Sequence, residues 1–237
     1  MRPLSIAIPS YPPKRAGSIV DPPGYLKERT AAGKTVLFAG AGMSMSQLPG
    51  WSSLLRKMLE WAPEQGIRLD PKPILELIDQ NDLPLAAEEL YAALDRTAVE
   101  RFLRSVLRHD GLEPGPAHKR LHDLPFDAIL TTNFDKLIEF ALPKTPHFTQ
   151  LDDAELTDWM QSPHPAIVKI HGDIDRAGSI VLRAEDYNKL KFDNAPLRIF
   201  LTHVFTSRTV FVLPPITSLL SVSVRIVCCR CRPFAIR

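Results

Sequence analysis

Thr35-Val36-Leu37-Phe38-Ala39-Gly40-Ala41-Gly42-Met43-Ser44 joins a five-residue run of β-type residues to a turn with glycines two apart. A short uninterrupted run ending at glycine is the pattern of a parallel strand covered on both faces, because neither face then meets water. Glycines at 40 and 42 let the chain turn tightly after such a strand and let an anion approach the backbone with no Cβ in the way. The dinucleotide fingerprint asks for a third glycine where Met45 stands, and no acidic residue ends a strand about 20 positions further on. Gly33-Lys34-Thr35 is no phosphate loop either, since it precedes the strand and Glu28 occupies the place of the first glycine. By itself the turn reads two ways, as a phosphate cradle at the start of a helix or as a tight strand-to-helix turn without a ligand.

Downstream, Trp51 to about Leu124 changes to helical periods: Leu54, Leu55, Met58 and Leu59, then Leu75, Leu77 and Ile78, then Leu85 to Leu94, then Val99, Phe102, Leu103, Val106 and Leu107. Four or five helices are expected there, one opened by a capping box of Thr97 and Glu100. Strand-type runs return at Asp127–Thr131, Ala166–Ile170, Ser179–Leu182 and Thr209–Leu213, with helices expected over Phe134–Phe140 and Leu197–Phe205. Strands alternating with helices predict an α/β fold, a Rossmann-like parallel sheet covered on both faces. A helical insertion, about 51–125, separates its first two core strands.

Upstream, residues 1–34 hold six prolines, which deny the backbone both helix continuation and a ladder donor. The expected organisation is a Pro-rich, extended arm over 1–33, a domain over 34–212 and a separate tail over 213–237. The tail departs sharply in composition. No acidic residue follows Asp193, while six arginines do (Arg198, Arg208, Arg225, Arg230, Arg232, Arg237), and without them the formal charge of +2 becomes −4. The basic balance therefore belongs to the C-terminal part, and no nucleic-acid partner is implied. All three cysteines (Cys228, Cys229, Cys231) also sit there, too few for a four-thiolate zinc site; reduced thiols and no metal are expected. No secretory leader is visible, and the uncharged stretch Thr209–Val224 is interrupted by Pro214 and Pro215, so a cytoplasmic chain without a membrane span is expected.

The ends of the strand runs carry polar groups. Thr131, Thr132, Asn133 and Asp135 end the second, and His171, Gly172 and Asp173 end the third. In a parallel sheet all carboxyl ends share one edge, so these groups should converge beside the glycine turn. Taken singly, Asn133 and Asp135 read equally well as helix caps and His171 as a hydrogen-bonded turn residue.

Taken in order, the motifs Gly40-Ala41-Gly42-Met43-Ser44, Thr131-Thr132-Asn133-Phe134-Asp135 and Lys169-Ile170-His171-Gly172-Asp173 resemble those of the sirtuin superfamily. The pieces Leu48-Pro49-Gly50-Trp51, Ile129 to Asp135 and Ile180 to Tyr187 resemble its bacterial sirtuin-like branch, which includes NAD-consuming anti-phage effectors. The resemblance spans about residues 34–212. It implies an NAD glycohydrolase, a hydrolase releasing nicotinamide and ADP-ribose, with NAD as substrate across the carboxyl edge of the sheet. On this resemblance Gly40, Ala41, Gly42, Met43, Ser44, Trp51, Thr131, Thr132, Gly172 and Asp173 bind the dinucleotide. Asn133 would hold a ribose hydroxyl, Asp135 the nicotinamide carboxamide, and His171 would serve as general base. A homo-oligomer and a sensor or regulatory protein are implied as partners.

Two departures qualify the resemblance. Sirtuin deacylases have two Cys-x-x-Cys pairs in a zinc module, whereas residues 1–227 contain no cysteine. The alternatives, a protein deacylase or ADP-ribosyltransferase and a silent NAD or ADP-ribose binding module, therefore stand beside hydrolysis. After Leu213 the chain also lacks the glycine turn and Asp-Pro pair that family members use at the adenosine end, and a divergent or frame-shifted tail is one reading.

Overall fold

The computed structural model describes residues 24–108, 111–176, 178–213, 224–227 and 234–236. In chain order the elements are α1 (Gly24–Ala31), β1 (Thr35–Ala39), α2 (Trp51–Trp61), α3 (Pro71–Asp79), α4 (Leu83–Ala93), α5 (Arg96–Leu107) and α6 (Pro116–Lys119). There follow β2 (Ala128–Thr131), α7 (Leu137–Ala141), β3 (His147–Thr149), α8 (Asp153–Gln161), β4 (Ala166–Lys169), α9 (Ala184–Phe192), α10 (Ala195–Ser207), β5 (Thr209–Leu213), β6 (Val224–Val227) and β7 (Phe234–Ile236). The strands form one sheet in the order β3-β4-β2-β1-β5-β6-β7. The first five are parallel, and β6 and β7 extend the sheet antiparallel beyond β5. The expected α/β class with a Rossmann-like parallel sheet is the observed one.

Alternation along each strand divides the core into two layers. Val36, Ala128, Leu130, Ala166, Val168 and Val210 face one way, against Leu156 and Trp159 of α8 and Leu197, Phe200 and Val204 of α10. Leu37, Ala39, Ile129 and Ile167 face the other way, against Leu121 and Ile138. Successive strand residues thus bury on opposite faces, which is why the runs are apolar except for Lys169 and the threonines at their ends.

Helices α2 to α5 form a third packed body between β1 and β2. Leu54, Leu55, Met58, Ile74, Ile78, Leu90, Val99, Phe102 and Leu103 share a core with Leu137, Ile174, Ile180 and Leu182. The helical stretch is therefore seated on the segments that follow β2 and β4, beside the carboxyl edge of the sheet.

Several local expectations require correction. Gly24–Ala31 is helical, so the extended arm does not reach residue 33; residues 1–23 lie outside the described ones. The helix after β2 starts at Leu137 rather than Phe134. Asp95, not Thr97, caps α5, its Oδ1 accepting from Ala98 N at 2.7 Å. Ser179–Leu182 is not a strand. Val181 N donates to the carbonyl of His171 at 2.9 Å, and Ile180 and Leu182 pack into the helical layer, so this run braces the turn after β4. The cysteines and most of the tail lie outside the described residues. No helix among those described is long and apolar enough to cross a membrane.

Candidate active site

Register places the three motifs side by side. Thr131 is the ladder partner of both Ala39 and Lys169, so the turns beginning at 40, 132 and 170 leave three neighbouring strands at one level. Ala41, Ser44, Thr132, Asn133, Asp135 and His171 consequently line one cavity of about 160 Å³, closed on the helical side by Leu48, Trp51 and Leu54 and by Tyr187 of α9. The expected convergence at the carboxyl edge is what the fold produces.

The glycine turn differs from expectation in one respect. It leads not into a long helix but into a single 3₁₀ turn, Ala41–Met43, in which Met43 N and Ser44 N are spent on the carbonyls of Gly40 and Ala41. Gly40 has an ordinary extended backbone, φ −106°, and a Cβ there would find its nearest neighbour, Thr132 Oγ1, at 3.8 Å. Its missing side chain leaves room beside the cavity wall; it does not relieve strain. Gly42 and Met43 are buried, Met43 in the core beneath the turn.

Asn133 is held by a bond across the sheet. Its Nδ2 donates to Ser44 Oγ at 3.1 Å, its main-chain N donates to Thr131 Oγ1 at 3.1 Å, and its buried Oδ1 finds no partner among the described residues. Thr131 is thus a buried support, while Thr132 lines the cavity. On its other side Ser44 Oγ lies 3.5 Å from Nε2 of the fully buried His118, which the motifs did not point to. Burial lowers the pKa of His118, against the opposing pull of Asp135, and keeps the imidazole neutral.

Asp135 is almost wholly buried, and its Oδ1 accepts from Leu137 N at 3.0 Å, as a turn residue at the head of α7 would. Burial raises its pKa; the Leu137 amide, Lys169 and Ser44 oppose that rise. His171 is partly buried and lowered from 6.5 to about 4 by desolvation, so it is neutral at pH 7. Its Nδ1 meets Tyr187 Oη at 3.4 Å.

Gly172 and Asp173 do not line this cavity; both build the turn that presents His171. Gly172 has φ +98°, and a Cβ there would stand 2.2 Å from the carbonyl oxygen of Ser179. Asp173 points into a buried ion cluster, where Lys136 Nζ reaches it at 2.8 Å and Lys169 Nζ at 3.1 Å. Burial opposes its charge, but the two lysines outweigh that and hold its pKa at about 2. Lys169, fully buried, also donates to the carbonyls of Phe134 and Asp135 at 3.1 and 2.6 Å and to Glu139 Oε1 at 2.7 Å. One ammonium therefore ties the Asn133–Asp135 loop to the His171–Asp173 turn. Glu139, His147 and Asp173 are close enough together to suggest a cation site. Lys136 Nζ lies among them, 3.3 Å from Glu139, 3.3 Å from His147 and 2.8 Å from Asp173, and supplies the positive charge itself.

The parallel sheet and the chain order of the three motifs have the pattern of a sirtuin-like domain, and comparison with known proteins agrees on that kinship. Residues 127–213 match the family model of the SIR2-like domain. Over this stretch the chain is similar to sirtuin-like domains. It is 30% identical over 176 residues to the protein named NAD(+) hydrolase ThsA of Enterococcus faecium, covering 72% of this chain and 34% of that one. The protein of the same name from Bacillus cereus (strain MSX-D12) is 27% identical over 183 residues, 73% of this chain and 35% of its own. Defense-associated sirtuin 2 of Bacillus subtilis is 26% identical over 194 residues, 79% of this chain and 18% of its own. The chain thus spans about a third or less of the length of these relatives.

Proposed function

We propose that this domain is an NAD⁺ glycohydrolase serving as an anti-phage defence effector, with the nicotinamide end of NAD in the cavity lined by Ser44, Asn133, Asp135 and His171. The observation that carries the reading is the buried Oδ1 of Asn133, unpaired among the described residues, on a cavity built from three separate strand ends. A buried acceptor without a partner is costly unless a ligand supplies a donor, and a ribose hydroxyl does so. The names of the relatives support the substrate.

The bond that breaks joins nicotinamide N1 to ribose C1′, and the bond that forms joins a water oxygen to C1′. The bonding pair returns to the pyridinium, which leaves as neutral nicotinamide, so the cost lies in the oxocarbenium-like ribose. Neutral His171 accepts the proton of the attacking water, and Asp135 faces the carboxamide and the developing positive charge. At about 160 Å³ the cavity is smaller than the roughly 300–1,000 Å³ of drug-sized ligand sites. It takes the reacting end, with the pyrophosphate along Gly40–Ser44. On this reading Trp51 and Thr132 are wall residues, and Gly172 and Asp173 act by holding His171. Assembly into a homo-oligomer and control by a sensor protein belong to the same proposal.

Incubating the protein with NAD and resolving the products by chromatography, with and without an acetylated peptide, tests it. Nicotinamide and ADP-ribose formed without peptide are expected. Turnover that needs the peptide would favour a deacylase, label transferred to protein an ADP-ribosyltransferase, and saturable binding without nicotinamide release a silent binding module.

A further inference from the structure

We propose that Tyr187 is a positioning residue for His171, its hydroxyl oxygen accepting the Nδ1 proton so that Nε2 is the nitrogen left to take a proton. The inference deepens the reading of His171 as general base and rests on it. Tyr187 Oη lies 3.4 Å from Nδ1, and the two rings meet edge to face at 85° with centroids 5.1 Å apart. The ring contact sets the plane of the imidazole, and the hydroxyl selects which nitrogen is engaged. Tyr187 is itself held from its other side, where Trp51 stacks on it at 5.9 Å and 25°. A row of three rings thus runs from the first residue of α2, through α9, to the turn after β4, and all three line the cavity.

The partner suits a base that must stay uncharged until the reaction. Burial, with a contribution from the Asp186 carboxylate, pushes the Tyr187 phenol up to about 12, so its oxygen accepts a hydrogen bond without bringing a negative charge to the imidazole. A carboxylate in that place would stabilise the imidazolium and draw a proton onto His171 in the resting state. A neutral hydroxyl can accept from Nδ1 as well as donate to it; accepting is the direction that leaves Nε2 bare for the base role, and it keeps the imidazole neutral beside a cationic nicotinamide ring. The main chain of His171 is anchored separately, through its carbonyl to Val181 N at 2.9 Å, so the tyrosine is free to act on the ring alone.

Tyr187→Phe keeps both ring contacts and removes only the hydroxyl. Histidine-selective ¹⁵N NMR at pH 7, with His171→Gln to assign the signals, reads the tautomer. The wild-type protein should show His171 protonated on Nδ1 and bare on Nε2, and Tyr187→Phe should show a mixture. Turnover of NAD by the variant should fall about 10- to 100-fold with KM changed less than about threefold, short of the roughly 10²–10⁴-fold typical of a whole general base. An Nε2-protonated His171 in the wild-type protein would overturn the proposal even if the variant failed to fold. An unchanged tautomer and kcat in a folded variant would do the same. Absence of NAD cleavage by the wild-type protein would instead defeat the hydrolase reading, while the NMR comparison still decided whether Tyr187 sets the tautomer.

Discussion

Asn133 donates its amide hydrogen to the hydroxyl of Ser44 at 3.1 Å, and this bond, between residues 89 positions apart in the chain, points the other end of the amide away as an acceptor with no partner among the described residues. A serine hydroxyl can donate as well as accept, so the amide is oriented only when the Ser44 hydrogen is engaged on its other side, where His118 Nε2 lies at 3.5 Å. Ser44→Ala is therefore expected to cost about 1 kcal/mol of unfolding free energy, the net worth of a hydrogen bond, and to reduce NAD cleavage. Asn133→Ala should nearly abolish cleavage at a similar cost in stability. Urea unfolding beside a nicotinamide-release assay separates the two effects, and full activity in either variant would refute the assigned orientation.

His171→Ala should lower kcat by about 10²–10⁴-fold while leaving NAD affinity nearly unchanged, as expected for a group that acts mainly in the transition state. The pH dependence of stability follows from the same residue. Folded, its pKa lies at about 4; unfolded, it returns to the ordinary 6.5. Between these values the unfolded chain binds a proton that the folded chain does not. This contribution is complete above pH 6.5 and is lost as the pH falls toward 4. His118 and His203, both lowered by burial, act with the same sign, and Asp135, raised by burial, acts against them. Melts at pH 7 and pH 5 should show a loss for the wild-type protein that is smaller for His171→Ala.

Two of the motif glycines, Gly172 and Gly40, should respond oppositely to alanine. At Gly172 a Cβ would meet the Ser179 carbonyl oxygen at 2.2 Å with φ at +98°, so Gly172→Ala should misfold or melt far below the wild-type protein. At Gly40 the backbone is extended and the nearest atom is 3.8 Å away, so Gly40→Ala should keep its melting temperature. On the proposed reading its methyl would occupy space taken by the pyrophosphate. Calorimetry should find weaker NAD binding, and unaltered affinity would remove Gly40 from the binding surface.

Lys169 has no exposed surface, and its ammonium holds two carbonyls and two carboxylates. Lys169→Ala leaves Glu139 and Asp173 with Lys136 as their remaining cation in the cluster. Removing one member of a buried ion network typically costs about 3–5 kcal/mol, and denaturant unfolding should show a loss of that order. Cleavage should fall as well, because the loop bearing Asn133 and the turn bearing His171 lose their common tie. A variant as stable as the wild-type protein would disprove the structural role.

Short-range pattern was enough for much of the architecture. Largely apolar runs at 35–39, 128–131, 166–169 and 209–213 announce strands because a strand buried on both faces has little room for polar side chains, and the one charge among them, Lys169, sits at a strand end with its ammonium fully paired. Their polar ends named Ser44, Asn133, Asp135 and His171 as one rim, because parallel strands share a carboxyl edge. The three-residue β3 was too short to stand out, and Ser179–Leu182 reads as a strand although its backbone braces a turn. Where each polar residue sits and what it touches was decided by the tertiary structure. Asp173 looked like a ligand of the cavity until two lysines claimed it, and His118 and Tyr187 gained their places only when α6 and α9 folded back toward the rim. Chain order determined which groups reach the edge; which of them is paired, buried or left free depends on charges and surfaces a few ångströms away in space and scores of residues away in the chain.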